Sequence, residues 1–487
     1  MNKFIKTALT YAFLLVFISC SSTNKDQRIT QQEVDSSKIF SEPIDFDYAK
    51  IKASGTLKAI IENSSTSYFL YRGTPMGFEY ELLQKLAQDL DLKLELIVTN
   101  NIRDAFEKLN TGEGDILAYN MTVTKERKEI VAFTNYHTLV KQVLVQRKPE
   151  NWRDLKRHET ESQLIRNAVD LIGKEVVVRR NSSFVDRLEN LSDEVGGNIL
   201  IAEDFDDVQT EDLIKKVANG EIKYTVADEN IALVNAAYYP NIDVKTPLSL
   251  SQQIAWATRK NSKEFLEKVN NWVDNNRSTL EYNVVYNKYF KNTRASARRV
   301  KSGFLNVDSD HISEYDELIK KAAEKIDWDW KLLASQMYQE SKFDPKIKSW
   351  AGAVGLMQVL PRTAESYGVT NLYDPEENIK AATEHILWLM AYWEDKIEDP
   401  KERTKFILAS YNVGQSHVMD AMRLTEKYGK NKLVWKDNVE QYLLLKSKPE
   451  YYLDVVVQSG YCRGEEPVKY VDQIFERYRI YSGFINT

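Results

Sequence analysis

The hydrophobic period changes character once along this chain, and that change limits it to two unlike bodies. Up to about residue 290, short apolar runs alternate with helical stretches: Thr56-Leu57-Lys58-Ala59-Ile60-Ile61, then Phe78 to Leu90 with apolar Leu82, Leu83, Leu86, Ala87 and Leu90, then Leu92 to Val98. A second cycle opens at Glu175-Val176-Val177-Val178 and runs to Lys223-Tyr224-Thr225-Val226-Ala227. Strand-helix-strand units of this kind predict parallel α/β sheets, here in two lobes. Beyond residue 313 only the helical period is left: Leu318, Ala322 and Ile326, then Leu332 to Tyr338, Ile379 to Trp393, Phe406 to Ser410, Val439 to Leu445 and Val471 to Tyr478. The chain of 487 residues has room for two or three compact units. The expected fold class is therefore multidomain, a two-lobed α/β body over 46–290 followed by an all-α body over 313–487. Residues 291–312, with Lys291, Arg294, Arg298, Arg299 and Lys301, read as a solvated connector.

Residues 1–19 carry Lys3 and Lys6 and then an apolar run from Ala8 to Ile18, too short to cross a bilayer comfortably and suited to a signal-peptide core. Cys20 follows directly, and Phe17-Ile18-Ser19-Cys20 resembles a bacterial lipobox, which implies lipidation of Cys20 after cleavage. Phe17 and Ser19 depart from its usual Leu and small residue, and an uncleaved anchor is the alternative; both readings give an exported, tethered protein. Residues 20–45 are polar and aperiodic, a flexible tether. Cys462 is the only other cysteine, so no intramolecular disulfide is available after lipidation. The five histidines are scattered without metal-ligand spacing, so neither a metal site nor a cofactor is expected. A net charge of −6 gives no support to nucleic-acid binding.

In the first body, Gly77-Phe78-Glu79-Tyr80-Glu81-Leu82, Gly114-Asp115-Ile116-Leu117, Met121-Thr122-Val123-Thr124-Lys125-Glu126-Arg127, Phe133-Thr134, Leu171-Ile172-Gly173-Lys174 and Ala227-Asp228-Glu229-Asn230 resemble the extracellular solute-binding proteins of the polar amino-acid type. A two-lobed cleft can hold an amino acid by offering a guanidinium fork to its carboxylate and a carboxylate to its ammonium. The resemblance implies Thr122 and Arg127 for the carboxylate, Asp228 for the ammonium and Ser182 as backbone support, with an amino acid or muropeptide as ligand. It also implies two hinge crossings, near Tyr136 to Arg147 and Val244 to Trp256. Specificity is not legible, because Tyr68-Phe69-Leu70-Tyr71 departs from the family pattern.

In the second body, helical spacing puts Glu340 on the face of Leu333 and Met337. A desolvated carboxyl there rises toward neutrality, as a general acid at pH 7 requires. A frayed helix end reaching water is the bland alternative. Glu340-Ser341, Gly355-Leu356-Met357-Gln358, Tyr411-Asn412-Val413-Gly414 and Glu466-Pro467-Val468-Lys469-Tyr470-Val471 resemble the soluble lytic transglycosylase domain, which is helical and lysozyme-like. The resemblance implies cleavage of the N-acetylmuramic acid β-1,4 N-acetylglucosamine bond of peptidoglycan strands to 1,6-anhydro ends. Glu340 would be the catalytic acid and base, with Ser341, Met357, Gln358, Tyr411, Asn412 and Tyr470 along the sugar subsites. Asp344 reads as a turn residue, and Trp388 and Trp393 as core. The whole then reads as a periplasm-facing lipoprotein of the cell envelope, expected in the outer membrane, with a ligand-regulated wall-cleaving enzyme. Two other readings stay open: a receptor whose helical body only holds glycan, and a hydrolase that delivers water.

Overall fold

Thr56–Ile61 lies parallel to both Lys93–Val98 and Ile116–Ala118, an arrangement that needs a crossover on each side. The computed structural model, which describes residues 40–204, 208–301, 305–307 and 310–485, supplies these crossovers as the helices Phe78–Asp89 and Ile102–Thr111. The second of these starts on Asn101, whose side chain accepts from the N–H groups of Arg103 and Asp104. Ala257–Thr258 completes the sheet by pairing antiparallel with Ile116–Ala118 and with Ala132–Phe133. The sheet is thus mixed, because the chain re-enters this lobe from the other one in the opposite direction. Arg259 locks the return: its fully buried guanidinium donates to the carbonyls of Leu109 and Phe46 and sits 3.1 Å from Asp115.

In the second lobe Gln142–Arg147 lies between Tyr224–Asp228 and Ile242–Pro247, both antiparallel to it, and Glu175–Arg179 pairs in parallel with Leu200–Asp204. Thr138–Val140 and Gln252–Ile254 pair antiparallel where the chain passes between lobes, within the two segments expected as hinges.

Past residue 313 the described elements are helices, chiefly Trp330–Ser341, Pro375–Glu394, Pro400–Val413, Gln415–Lys427 and Glu465–Phe484. Two of them begin Asp-Pro, with Asp374 and Asp399 accepting backbone N–H groups as N-caps and proline in the first turn. No helix among the described residues is long and apolar enough to cross a membrane.

Three expectations need correction. Residues 291–312 are not a solvated connector: Thr293–Lys301 is a helix with Ser296 fully buried, and Leu305–Asn306 adds a strand to Phe69–Tyr71. The basic residues hid this, because Arg299 lies over the rings of Phe69 and Tyr289. Residues 40–45 of the expected tether are held on the first lobe, with Phe40 edge-on to Phe106 and the Ile44 N–H donated to Asn110. Trp388 is 44% exposed, whereas Trp393 is fully buried and donates its indole N–H to Ser410. The signal segment and Cys20 lie outside the described residues.

The first lobe and the helical body share one hydrophobic core, running from Ile51 and Leu83 through Tyr68 and Phe484 to Ile474 and Trp393. Tyr68 meets Phe484 edge-on at 5.4 Å. Phe484→Ala is expected to lower the stability of both bodies together, in one urea transition, by about 3–5 kcal/mol; loss confined to the helical body would contradict the shared core.

Candidate active site and ligand cleft

The helix Trp330–Ser341 is held at both ends. Asp329 accepts the Lys331 N–H at its start, and the left-handed Lys342 donates its N–H to Tyr338 at its end. Leu333 and Met337 are buried on the face that Glu340 shares, and Glu340 itself is only partly exposed. Its carboxyl accepts the Tyr470 O–H from the facing helix Glu465–Phe484, and Gln336 donates to the Tyr470 phenol at 3.3 Å. Burial pushes the Glu340 carboxyl up to about 7, moderated by the Tyr470 hydrogen bond, which favours the ionised form. No carboxylate contributes to that shift. Asp344, four residues on, accepts the Lys346 N–H at 2.9 Å in the turn that leaves the helix.

Opposite Glu340 stands a loop organised by a residue that the sequence analysis missed. Asn378 is fully buried on Pro375–Glu394; its Oδ1 accepts the Met357 N–H at 2.8 Å, and its Nδ2 donates to Val354 at 2.9 Å and Leu372 at 2.8 Å. Gly355, at φ +81°, has no room for a side chain, since a Cβ there would lie 2.2 Å from Asn378 and 2.3 Å from the Leu372 carbonyl. The Met357 carbonyl accepts the Tyr411 O–H at 2.9 Å. Tyr411 is pushed well above the usual phenol range, first by burial and then by the neighbouring Glu340 charge. Glu340, Tyr470, Tyr411 and Met357 therefore come together. Ser341 is buried and donates to the Met337 carbonyl at 3.2 Å, and Gln358 donates to Gly355 at 2.9 Å, so both point their donors at backbone. Asn412 is exposed near the end of its helix. The only signal for Asn378 was its place after the Asp-Pro-Glu-Glu helix start.

Between the lobes, Thr122, Arg127, Ser182 and Asp228 line one cavity of about 70 Å³. That is well below the roughly 300–1,000 Å³ of ordinary ligand pockets. Arg127 donates to the Thr122 carbonyl at 3.0 Å and, across the cleft, to the Asn181 carbonyl at 3.3 Å. Burial lowers its guanidinium to about 10. Asp228 ends the strand Tyr224–Asp228, accepts from Asn120 of the first lobe at 2.7 Å and leaves its buried Oδ1 without a hydrogen-bond partner. Burial pushes this carboxyl up to about 7 against the pull of Asn120 and Arg127. The Ser182 N–H, expected to face the ligand, donates instead to the Arg179 carbonyl at 3.3 Å.

The sequence analysis missed the cross-lobe contacts. The Ser65 N–H and hydroxyl donate to Glu211 at 3.0 and 2.6 Å, and Arg179 lies 3.4 Å from Glu62. The lobes are thus closed on their own polar groups.

The segment that lines this cleft leads into a hairpin that packs on the helical body. After Ser64 and Ser65 the chain forms the hairpin Phe69–Tyr71 and Thr74–Met76. Thr74 Oγ1 lies 2.8 Å from the Tyr338 hydroxyl, and Tyr481 donates to the Gly73 carbonyl at 2.8 Å. A Cβ at Gly73, whose φ is +68°, would lie 2.5 Å from the Phe343 ring. Tyr338 is two residues from Glu340 and carries the Arg477 guanidinium over its ring at 3.6 Å.

Residues 57–292 match the model of bacterial extracellular solute-binding proteins, family 3, and residues 317–434 match that of the transglycosylase SLT domain. The membrane-bound lytic murein transglycosylase F of Desulfosudis oleivorans is 34% identical over 432 residues, 88% of this chain and 91% of that protein. The protein of the same name from Pseudomonas fluorescens Pf-5 is 31% identical over 434 residues, 88% and 85% of the two chains. Among solved structures, an ancestral arginine-binding protein bound to arginine is 22% identical, with a TM-score of 0.41 over 48% of this chain and 98% of that one. With both domain models matched in order and relatives of this similarity aligned along most of its length, the chain belongs to the family of membrane-bound lytic murein transglycosylase F.

Proposed function

We propose that this protein cleaves the β-1,4 bond between N-acetylmuramic acid and N-acetylglucosamine in peptidoglycan, releasing 1,6-anhydro ends, and that its first body tunes the reaction by binding an amino acid or muropeptide. The supporting observation is Glu340, a half-buried carboxyl raised to about 7 with Tyr470 as its hydrogen-bond partner and no carboxylate contributing to that rise. Glu340 gives its proton to the bridging oxygen as the C1–O bond breaks, and the departing sugar keeps that proton as a hydroxyl. The carboxylate then takes the proton of the muramoyl C6 hydroxyl, O6 bonds to C1, and Glu340 is protonated again with no water consumed. Tyr470 holds the carboxylate between the two transfers. A two-carboxylate hydrolysis would need a second acid across the ring.

Ser341, Met357, Gln358, Tyr411 and Asn412 border the groove in this reading, and Thr122, Arg127 and Asp228 hold the regulatory ligand in the cavity that Ser182 also lines. The hairpin that joins the cleft to Tyr338 is the physical route between the two sites. The family name and the Cys20 segment together favour a lipid-anchored protein of the cell envelope, facing the periplasm from the outer membrane.

Three outcomes are expected. In purified murein digests, mass analysis finds anhydro-ended fragments with the wild type, and Glu340→Gln lowers their release by roughly 10²–10⁴-fold; water-added ends from the wild type would overturn the reaction type. Activity falls as pH rises through about 7, where Glu340 loses the proton it must donate. Tyr470→Phe removes a bond to the ionised form and moves that fall to higher pH; a shift to lower pH would contradict the assigned sign. Wall-derived peptides change the turnover of the wild type, and Arg127→Ala abolishes the response; an equal response in both would reject the cleft as its source.

A further inference from the structure

The helix Pro375–Glu394 carries three ring side chains at His385, Trp388 and Tyr392, spaced by three and four residues and therefore on one face. His385 and Trp388 are stacked with centroids 5.7 Å apart and planes 8° from parallel, and Trp388 and Tyr392 are 5.8 Å apart at 27°. The row does not stop at the helix: His385 lies 5.4 Å from Tyr411, and its Nδ1 lies 3.4 Å from the Tyr367 hydroxyl. Tyr411 is the residue bound to the Met357 carbonyl beside Glu340. An unbroken file of rings thus leads from the candidate active site outward along one helix.

Trp388 is 44% exposed in the middle of this file, so the row presents an open aromatic surface continuous with the buried rings beside Tyr411. Centroids at 5.7–5.8 Å are too far apart for full face-to-face overlap, so the rings are slipped and part of each indole face stays open. Burial holds the His385 ring below its ordinary range and therefore neutral, so the row carries no charge from Tyr411 to Trp388; at its outer end the Lys396 ammonium lies 4.2 Å over the Tyr392 ring.

We propose that this file is an additional glycan subsite: a pyranose of the peptidoglycan strand lies on Trp388, one or two sugars beyond those at Glu340. The occupant follows from continuity, since the row begins at a residue of the cleavage site, and from chemistry, since the apolar face of a sugar ring complements an aromatic surface. The ring-to-ring step is close to the length of one sugar. The inference rests on the transglycosylase reading, and its test separates the two.

The test measures KM for long uncross-linked glycan strands and for the shortest fragment that is cleaved, on full-length wild type, Trp388→Ala and Trp388→Phe. The wild type is expected to show lower KM on long strands, and Trp388→Ala to lose roughly three- to tenfold of that advantage with kcat little altered, while Trp388→Phe retains most of it. Melting curves for the three proteins guard against a folding effect. If the wild type cleaves strands but the advantage persists in Trp388→Ala, this subsite is wrong and the catalytic reading stands. If both variants lose activity equally on both substrates, a general structural effect has been read and the proposal also fails. If the wild type cleaves nothing, the catalytic reading itself falls.

Discussion

Glu340 is placed by the packing of two helices, and everything chemical in the molecule is arranged around the cost of that placement. A carboxyl at the seam between Trp330–Ser341 and Glu465–Phe484 cannot ionise as it would in water, because burial favours its neutral form. Tyr470 supplies the correction by donating to the carboxylate form. The result is a group near the midpoint at neutral pH, able to release and regain a proton with similar ease. The second tyrosine, Tyr411, is committed to the Met357 carbonyl, so it shapes the wall across from the acid while leaving the Tyr470 bond undisturbed.

That wall depends in turn on one amide. Asn378 accepts from Met357 and donates to Val354 and Leu372, tying a glycine-rich loop to a long helix that is itself fixed by a proline and an aspartate cap. An aspartate there would lose both donations, and an alanine would leave the Met357 N–H and the Leu372 carbonyl unpaired, while the Val354 carbonyl would keep only the Val359 N–H. The loop presents its groove because an uncharged polar side chain at its base is completely satisfied.

Much of this could be read in the sequence, for reasons that differ from residue to residue. Glu340 was visible because a helix repeats every three to four residues, so an acid in the apolar stripe stands out. The two lobes were visible because alternating periods bind each element type to a layer, whereas the hinge crossings came only from the family resemblance. Asn378 was invisible: its partners are backbone groups in a distant loop, and nothing local marks a buried amide. Trp388 was misread because an apolar stripe has width, and residues at its margin share the period of the core without sharing its burial. The connector was misread because charge was taken as exposure, whereas Arg299 lays its flat cation on aromatic rings and keeps only its rim polar. The cross-lobe pairs Ser65–Glu211 and Glu62–Arg179 join residues more than a hundred positions apart, a relation that only the folded chain expresses.

The strand at Leu305–Asn306 has one more consequence. By joining the edge of the hairpin Phe69–Met76, it stitches the sequence between the bodies into the hairpin that touches Tyr338. The boundary between the bodies is therefore no place for scissors. A graft that exchanged the first body for another would have to carry these residues along with it, or leave the replacement hairpin with a bare edge and the helix of Glu340 with a foreign neighbour. Inheritance of the pair as a unit, not as interchangeable parts, is built into the backbone.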